Sequence, residues 1–186
     1  MVIRRGRFFA SCALVFISLV LTACRASPGN GMAPTEVSKP DWFSIALTDA
    51  QTGETFTIND FAGKVVLLET MAIWCPNCAL QANQINKLYA LLDNPDDLIS
   101  VSLDVDLHED VSSLAEYAQE YGFEGHFAVA PLEVDRALAN LYTAQYLNPP
   151  LSPMMIIDRE GNVHHLEYGL KLADALKENL EPYLNP

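Results

Sequence analysis

From Asp41 onward, short apolar runs alternate with amphipathic stretches. Trp42 to Thr48 alternates in polarity and predicts an extended segment. Gln51-Thr52-Gly53-Glu54 supplies a turn, and Thr55 to Ile58 a second short strand. Val65 to Glu69 is a continuous apolar run ending in an acid, the pattern of a central strand covered on both faces. Pro76 to about Leu92 predicts a helix, with Leu80, Ile85, Leu88 and Leu92 on one side and Asp93-Asn94-Pro95-Asp96 as its stop. Leu98 to Val105 follows as a strand. Glu109 to Tyr121 reads as a helix with Val111, Leu114 and Ala118 inward and Gly122 at its C-terminal cap. Phe127 to Ala130 predicts a strand and Val134 to Tyr142 a helix. The prolines of Asn148-Pro149-Pro150-Leu151-Ser152-Pro153 exclude regular structure there. Met154 to Ile157 is an apolar strand, Asp158 to Asn162 a turn, Val163 to Tyr168 a strand, and Leu170 to Leu184 a closing helix. Strands alternating with helices predict a three-layer α/β sandwich.

The first residues follow a different rule. Arg4, Arg5 and Arg7 precede an uncharged, mostly apolar run from Phe8 to Ala23, 16 residues long. A membrane-spanning helix needs roughly 20 apolar residues, so this run reads as an export signal. It ends in Leu21-Thr22-Ala23-Cys24, which resembles the lipobox of bacterial lipoproteins. That resemblance implies cleavage after Ala23 and a lipid on Cys24; an uncleaved anchor with a chance cysteine is the competing reading. Either places the domain outside the cytoplasm, on the cell membrane facing the extracytoplasmic or periplasmic side. Residues 24–40, rich in Gly, Pro, Ser and Asn, read as a flexible tether, and 41–186 as the folded domain.

Cleavage leaves 163 residues, enough for one domain with its own core. It removes three arginines and no acid, so the formal charge of −13 becomes −16. Such a surface repels nucleic acid and anionic membranes. Cys12 leaves with the signal and Cys24 is used by the lipid. The domain then holds only Cys75 and Cys78, a pair closing too small a loop to staple a fold.

That pair lies in Trp74-Cys75-Pro76-Asn77-Cys78, between the apolar strand and the helix. Two thiols three residues apart at a helix start suit reversible dithiol–disulfide chemistry. The helix N-terminus favours a thiolate on Cys75. Pro76 fits the first helical position, where its missing N–H is no loss. Cys78, one turn on and expected to be buried, is placed to resolve a mixed disulfide. Half of a zinc site is the competing reading, but structural zinc wants four ligands. There is no second Cys-x-x-Cys, and His108, His126, His164 and His165 lie outside the spacing of a compact knuckle. No metal or other cofactor is expected.

Val65 to Cys78, the lead-in Thr52 to Lys64, and the distant Ser152-Pro153-Met154-Met155-Ile156-Ile157-Asp158-Arg159-Glu160-Gly161 together resemble the thioredoxin superfamily. The similarity is to its membrane-tethered, extracytoplasmic branch of thiol–disulfide oxidoreductases of cytochrome c maturation, and covers nearly all of Asp41 to Leu184. It implies a thioredoxin-like sandwich with an N-terminal strand extension and a central insertion. It also implies a redox-active disulfide between Cys75 and Cys78, and a buried acid, Glu69, that relays the Cys78 proton; a glutamate reaching solvent is the alternative. Pro153 matches the family's cis-proline, and Ser152 before it offers backbone to an extended partner chain. Trp74 becomes a flat wall of the substrate groove, against simple packing, with Pro76 and Asn77 completing that groove.

The function so implied is a protein thiol–disulfide oxidoreductase acting on extracytoplasmic protein thiols and disulfides, a reductase supplied by a membrane electron donor. Two alternatives stand beside it: a copper-delivery factor for cytochrome oxidase assembly, with His126 as a distant candidate, and a non-enzymatic assembly protein. Ala79-Leu80-Gln81-Ala82 departs from the branch by lacking its usual charges and proline after the dithiol. Asp104 to Asp110 has no assigned counterpart; it reads as a strand end and helix cap, or as a docking surface.

Overall fold

The computed structural model describes residues 39–93 and 95–184. The leader, Cys24 and the tether up to residue 38 lie outside the described residues. Among the described residues no helix is long and apolar enough to cross a membrane.

The elements run β1 (Leu47–Thr48), β2 (Thr55–Phe56), β3 (Val65–Met71), α1 (Pro76–Leu91), β4 (Leu98–Asp104), α2 (Val111–Tyr121), β5 (His126–Val129), α3 (Leu132–Leu141), β6 (Met154–Ile157), β7 (Val163–His165) and α4 (Ala173–Leu184). β1 and β2 form a small antiparallel ladder. The main sheet has the order β5-β4-β3-β6-β7. β3 pairs parallel with β4, and β4 with β5, while β6 and β7 complete the sheet antiparallel. The β1–β2 extension and the central α2–β5 segment are thus both present, and the fold is the thioredoxin-like α/β sandwich.

Side-chain alternation along β3 divides the core into layers. Val66 and Leu68 face a cluster holding Trp42, Phe43, Val134, Leu138 and Tyr146, so α3 covers that face. Val65 and Leu67 face Ile85, Leu88, Leu176 and Leu180, from α1 and α4. Met71 joins Ala82, Leu114, Ala118 and Phe127, where α1 and α2 cover the end of the sheet nearest the cysteines. α2 is closed by a reciprocal Asp110–Ser113 capping box and by Gly122 in the left-handed conformation, φ 63°.

Several boundaries and faces differ from the sequence expectation. Asp41–Ser44 is a 3₁₀ turn, which lets Trp42 and Phe43 both bury, whereas an extended strand would send them to opposite faces. Ile58–Phe61 is likewise 3₁₀, closed by Thr57 and Asp60. β7 stops at His165, and α4 begins only at Ala173. Within the proline-rich stretch Pro149–Leu151 is a short 3₁₀ turn, for which proline's fixed φ is well suited, and a second 3₁₀ turn, Ala144–Leu147, precedes the stretch. Leu80 and Val111 are exposed. The buried face of α1 runs instead through Cys78, Gln81, Ala82, Ile85 and Leu88, so it is partly polar, and apolar spacing alone misplaces it.

Candidate active site

Cys75 is the N-cap residue of α1, in extended conformation, and Pro76 opens the helix. The Cys75 carbonyl accepts from the Cys78 and Ala79 amides at 3.1 and 3.4 Å, which fixes the first turn. This is the positive end of the helix dipole. Both thiols are free and both are buried, Cys75 at 1% exposure and Cys78 at 2%. Sequence reasoning places only Cys78 out of reach. Cys75 is covered as well.

The 3₁₀ turn Pro149–Leu151 forms the opposite wall. Cys78 Sγ donates to the Pro149 carbonyl at 3.7 Å, and Asn77 Nδ2 donates to the Pro150 carbonyl at 3.0 Å. Ser152 follows in the left-handed region at φ 46°, ψ 58°, uncommon for a residue with a Cβ. Its Oγ is buried without a partner. Pro153 is buried, and its carbonyl accepts the Thr70 amide at 3.1 Å, beside Glu69 on β3. The structure therefore brings Ser152 and Pro153 to the dithiol end of the central strand.

Glu69 is 2% exposed and points to the α1 side of the sheet, which removes the solvent-facing reading. Ser102, its register partner on β4, donates to Glu69 Oε1 at 2.7 Å. Burial pushes the Glu69 carboxyl up to about 7, against the opposing effects of the Ser102 hydrogen bond and the Lys171 charge. Burial, the Cys75 thiol and the charge on Glu69 together raise Cys78 far above the ordinary thiol range. Tyr117 on α2 is raised by burial and then by the charges of Cys78 and Glu69. A carboxyl poised near neutrality, close enough for its charge to raise a neighbouring thiol, can exchange a proton with it once the two come within hydrogen-bond reach.

Trp74 is 55% exposed and donates its indole N–H to Asp106 Oδ2 at 2.7 Å. Beside it lies an open groove of about 310 Å³ whose lining is apolar at Val105, Leu107, Leu147 and Pro149 and polar at Asp106 and His108. The segment Asp104 to Asp110 does more than end a strand and cap a helix. Glu109 Oε2 accepts the Ile73 amide at 2.9 Å, and Asp104 Oδ1 accepts the Asp106 amide at 3.0 Å. Burial and the neighbouring Glu109 carboxyl hold Asp104 above the usual carboxylate range. This acidic loop grips the two residues that lead into Cys75.

Two further residues escape sequence reasoning. Gln81, fully buried on α1, accepts the Lys171 amide at 2.8 Å and donates to the Lys171 carbonyl at 3.1 Å. Lys171 in turn donates from Nζ to the Ser152 carbonyl at 2.9 Å and the Gly169 carbonyl at 2.6 Å. The available signals were Gln81 three residues after Cys78 on the same helix face, and a lysine between two leucines. His126 is held by Asp49 at 2.6 Å and packs against Phe56 and Phe61. Among the described residues no group of three or more His, Cys, Asp or Glu is disposed to hold a metal ion.

A comparison with curated proteins found no match. Solved structures give the fold. A thiol:disulfide interchange protein of the thioredoxin family from Chlorobium tepidum TLS superimposes with a TM-score of 0.62 at 16% identity, covering 80% of this chain and 98% of that one. The dsbF protein of MTB, in mixed oxidized and reduced forms, gives 0.61 at 18%, covering 78% and 99%. BsSco, a member of the Sco family of cytochrome c oxidase assembly proteins, gives 0.61 at 16%, covering 76% and 91%. At these identities the likeness speaks for architecture. The family assignment rests on sequence: the Redoxin family matches residues 30–180, most of the chain, and the protein belongs to it.

Proposed function

We propose that the protein is a lipid-anchored, extracytoplasmic thiol–disulfide oxidoreductase that reduces protein disulfides. The observation that carries this reading is the Cys75–Cys78 pair at the start of α1, with Cys78 kept protonated and Glu69 poised near neutrality beneath it. The anchor reading rests on Arg4 to Cys24.

The Cys75 thiolate attacks one sulfur of a partner disulfide. The partner's S–S bond breaks, a mixed disulfide forms on Cys75, and the first partner thiolate leaves and takes up a proton. Glu69 then accepts the Cys78 proton. The Cys78 thiolate attacks Cys75 Sγ, the mixed disulfide breaks, and the second partner thiolate leaves. The partner gains two electrons and the protein is left with a Cys75–Cys78 disulfide, to be reduced again by a membrane dithiol donor. The reducing direction rests on the resemblance of Trp74–Cys78 and Ser152–Pro153 to the reducing, extracytoplasmic branch of thiol–disulfide oxidoreductases. The partner chain reaches the dithiol beside the Pro149–Pro153 wall, with Trp74, Pro76 and Asn77 facing it; strand addition at Ser152 requires its amide to leave the Pro149 carbonyl, which it meets at 2.8 Å.

The test is a Cys78→Ser variant of the full chain, which should accumulate mixed disulfides through Cys75 with extracytoplasmic proteins, while Cys75→Ala loses function in cells. Full function of Cys75→Ala would instead make the fold an interaction platform. A stoichiometric Cu(I) complex that disappears in the double cysteine variant would move the assignment to copper delivery.

A further inference from the structure

Lys171 is 9% exposed, an unusual place for a lysine, and lies far from the dithiol in sequence. Its backbone is clasped on both sides by Gln81, which stands one helical turn beyond Cys78. Its ammonium binds the carbonyl of Ser152, the left-handed residue on the wall facing the dithiol. A second hydrogen bond to Gly169, whose own amide binds the Leu151 carbonyl at 2.7 Å, closes a ring that locks this turn to the start of α4. Ser152 lies two residues before Met154, the register partner of Glu69 on β6, so the same ammonium stands near the Glu69 carboxylate without a direct ion pair and its charge favours the ionised form.

We propose that Lys171 is a positioning residue for the exchange reaction: one ammonium holds the Ser152 carbonyl in the partner-docking wall and stabilises the ionised form of Glu69 that takes the Cys78 proton. The inference rests on the dithiol reading above. The groups facing this pair are Ser102, Cys75, Cys78 and Tyr117 around Glu69, and Glu167 near Lys171. Of these, Lys171 is the cation, so removing its charge leaves Glu69 with only the Ser102 hydrogen bond against the burial that keeps it protonated. Burial lowers Lys171 to about 8, with Glu69 and then Glu167 opposing, so the ammonium is present at neutral pH. It fades in alkali, where the Ser152 hold weakens too.

The experiment uses the full chain and the aromatic disulfide 5,5′-dithiobis(2-nitrobenzoate). Attack by Cys75 releases one coloured thiolate and leaves the other on Cys75; attack by Cys78 releases the second. The two phases separate capture from resolution. In the wild type the second phase should rise with a midpoint near the Glu69 value of about 7. Lys171→Met should move that midpoint up by about one pH unit, leaving the midpoint of the first phase in place, and Lys171→Arg should restore it. Lys171→Gln, whose amide can still reach the Ser152 carbonyl, removes the charge alone and should move the midpoint equally; it serves also if Lys171→Met does not fold. In a Glu69→Gln background the Lys171 substitutions should shift nothing. An unchanged second-phase midpoint in folded Lys171→Met or Lys171→Gln overturns the inference. A wild type with no second release, or with one that survives Cys78→Ser, overturns the dithiol reading itself.

Discussion

Trp74 and Asp106 are joined by an indole N–H to carboxylate hydrogen bond of 2.7 Å, across 32 positions of chain. The exposed aromatic wall beside Cys75 is therefore held by the loop after β4. Asp106 is itself kept ionised by the His108 amide, then by the Trp74 and His108 side chains, which lower its proton affinity. Asp106→Ala should free the indole and slow capture of a protein disulfide by about threefold to fivefold. Stability should barely change. Tryptophan anisotropy and stopped-flow capture rates read the two effects, and an unchanged rate with a mobile indole would remove Trp74 from the groove.

Glu69 gives the fold a pH signature. Its carboxyl titrates near 7 when folded against 4.5 ordinarily. The folded state thus keeps a proton that the unfolded chain has lost, and stability falls as pH rises from 4.5 through 7. Glu69→Gln removes that loss. At pH 8 it should be more stable than the wild type by about 2–3 kcal/mol, with the gap closing toward pH 4. Urea unfolding at the two pH values checks this. The same variant should resolve mixed disulfides more slowly.

The proposed direction predicts a reducing couple. Equilibration with glutathione or dithiothreitol should place the Cys75–Cys78 potential near about −250 mV or lower. A value near about −120 mV would reverse the proposed direction.

Gly125 precedes β5 at φ 98°, and a Cβ there would clash with Ser100 Oγ and lie 3.1 Å from the Ser100 carbonyl. Gly125→Ala should cost about 2 kcal/mol or more, through backbone strain and overpacking together. Thermal unfolding measures it, and a neutral substitution would mean that β5 can slide along β4.

What the sequence made legible was local. The apolar run into Trp74, proline after Cys75, and the cap at Gly122 each act within a few residues, and β3, α1 and α2 follow from them. Glu69 is legible because an acid closing a buried run has few places to go. Leu80 misleads because Gln81 takes the buried position that helical spacing reserves for an apolar residue. The partners of Gln81, Trp74 and Ile73 lie 90, 32 and 36 positions away. Each contact depends on the register of strands and on loop paths, which no local pattern encodes.

Both sulfurs are sealed at rest, Cys75 no less than Cys78. A thiolate open to solvent would meet peroxide and climb to sulfenic and then irreversible sulfinic acid. The Pro149–Leu151 turn closes one side of the dithiol through its contacts with Asn77 and Cys78, and a protein chain that can replace those contacts has the means to move it. Small reagents lack such contacts and react only when the cover opens by itself. The cover therefore slows them relative to a protein chain, and lengthens the working life of the dithiol between encounters.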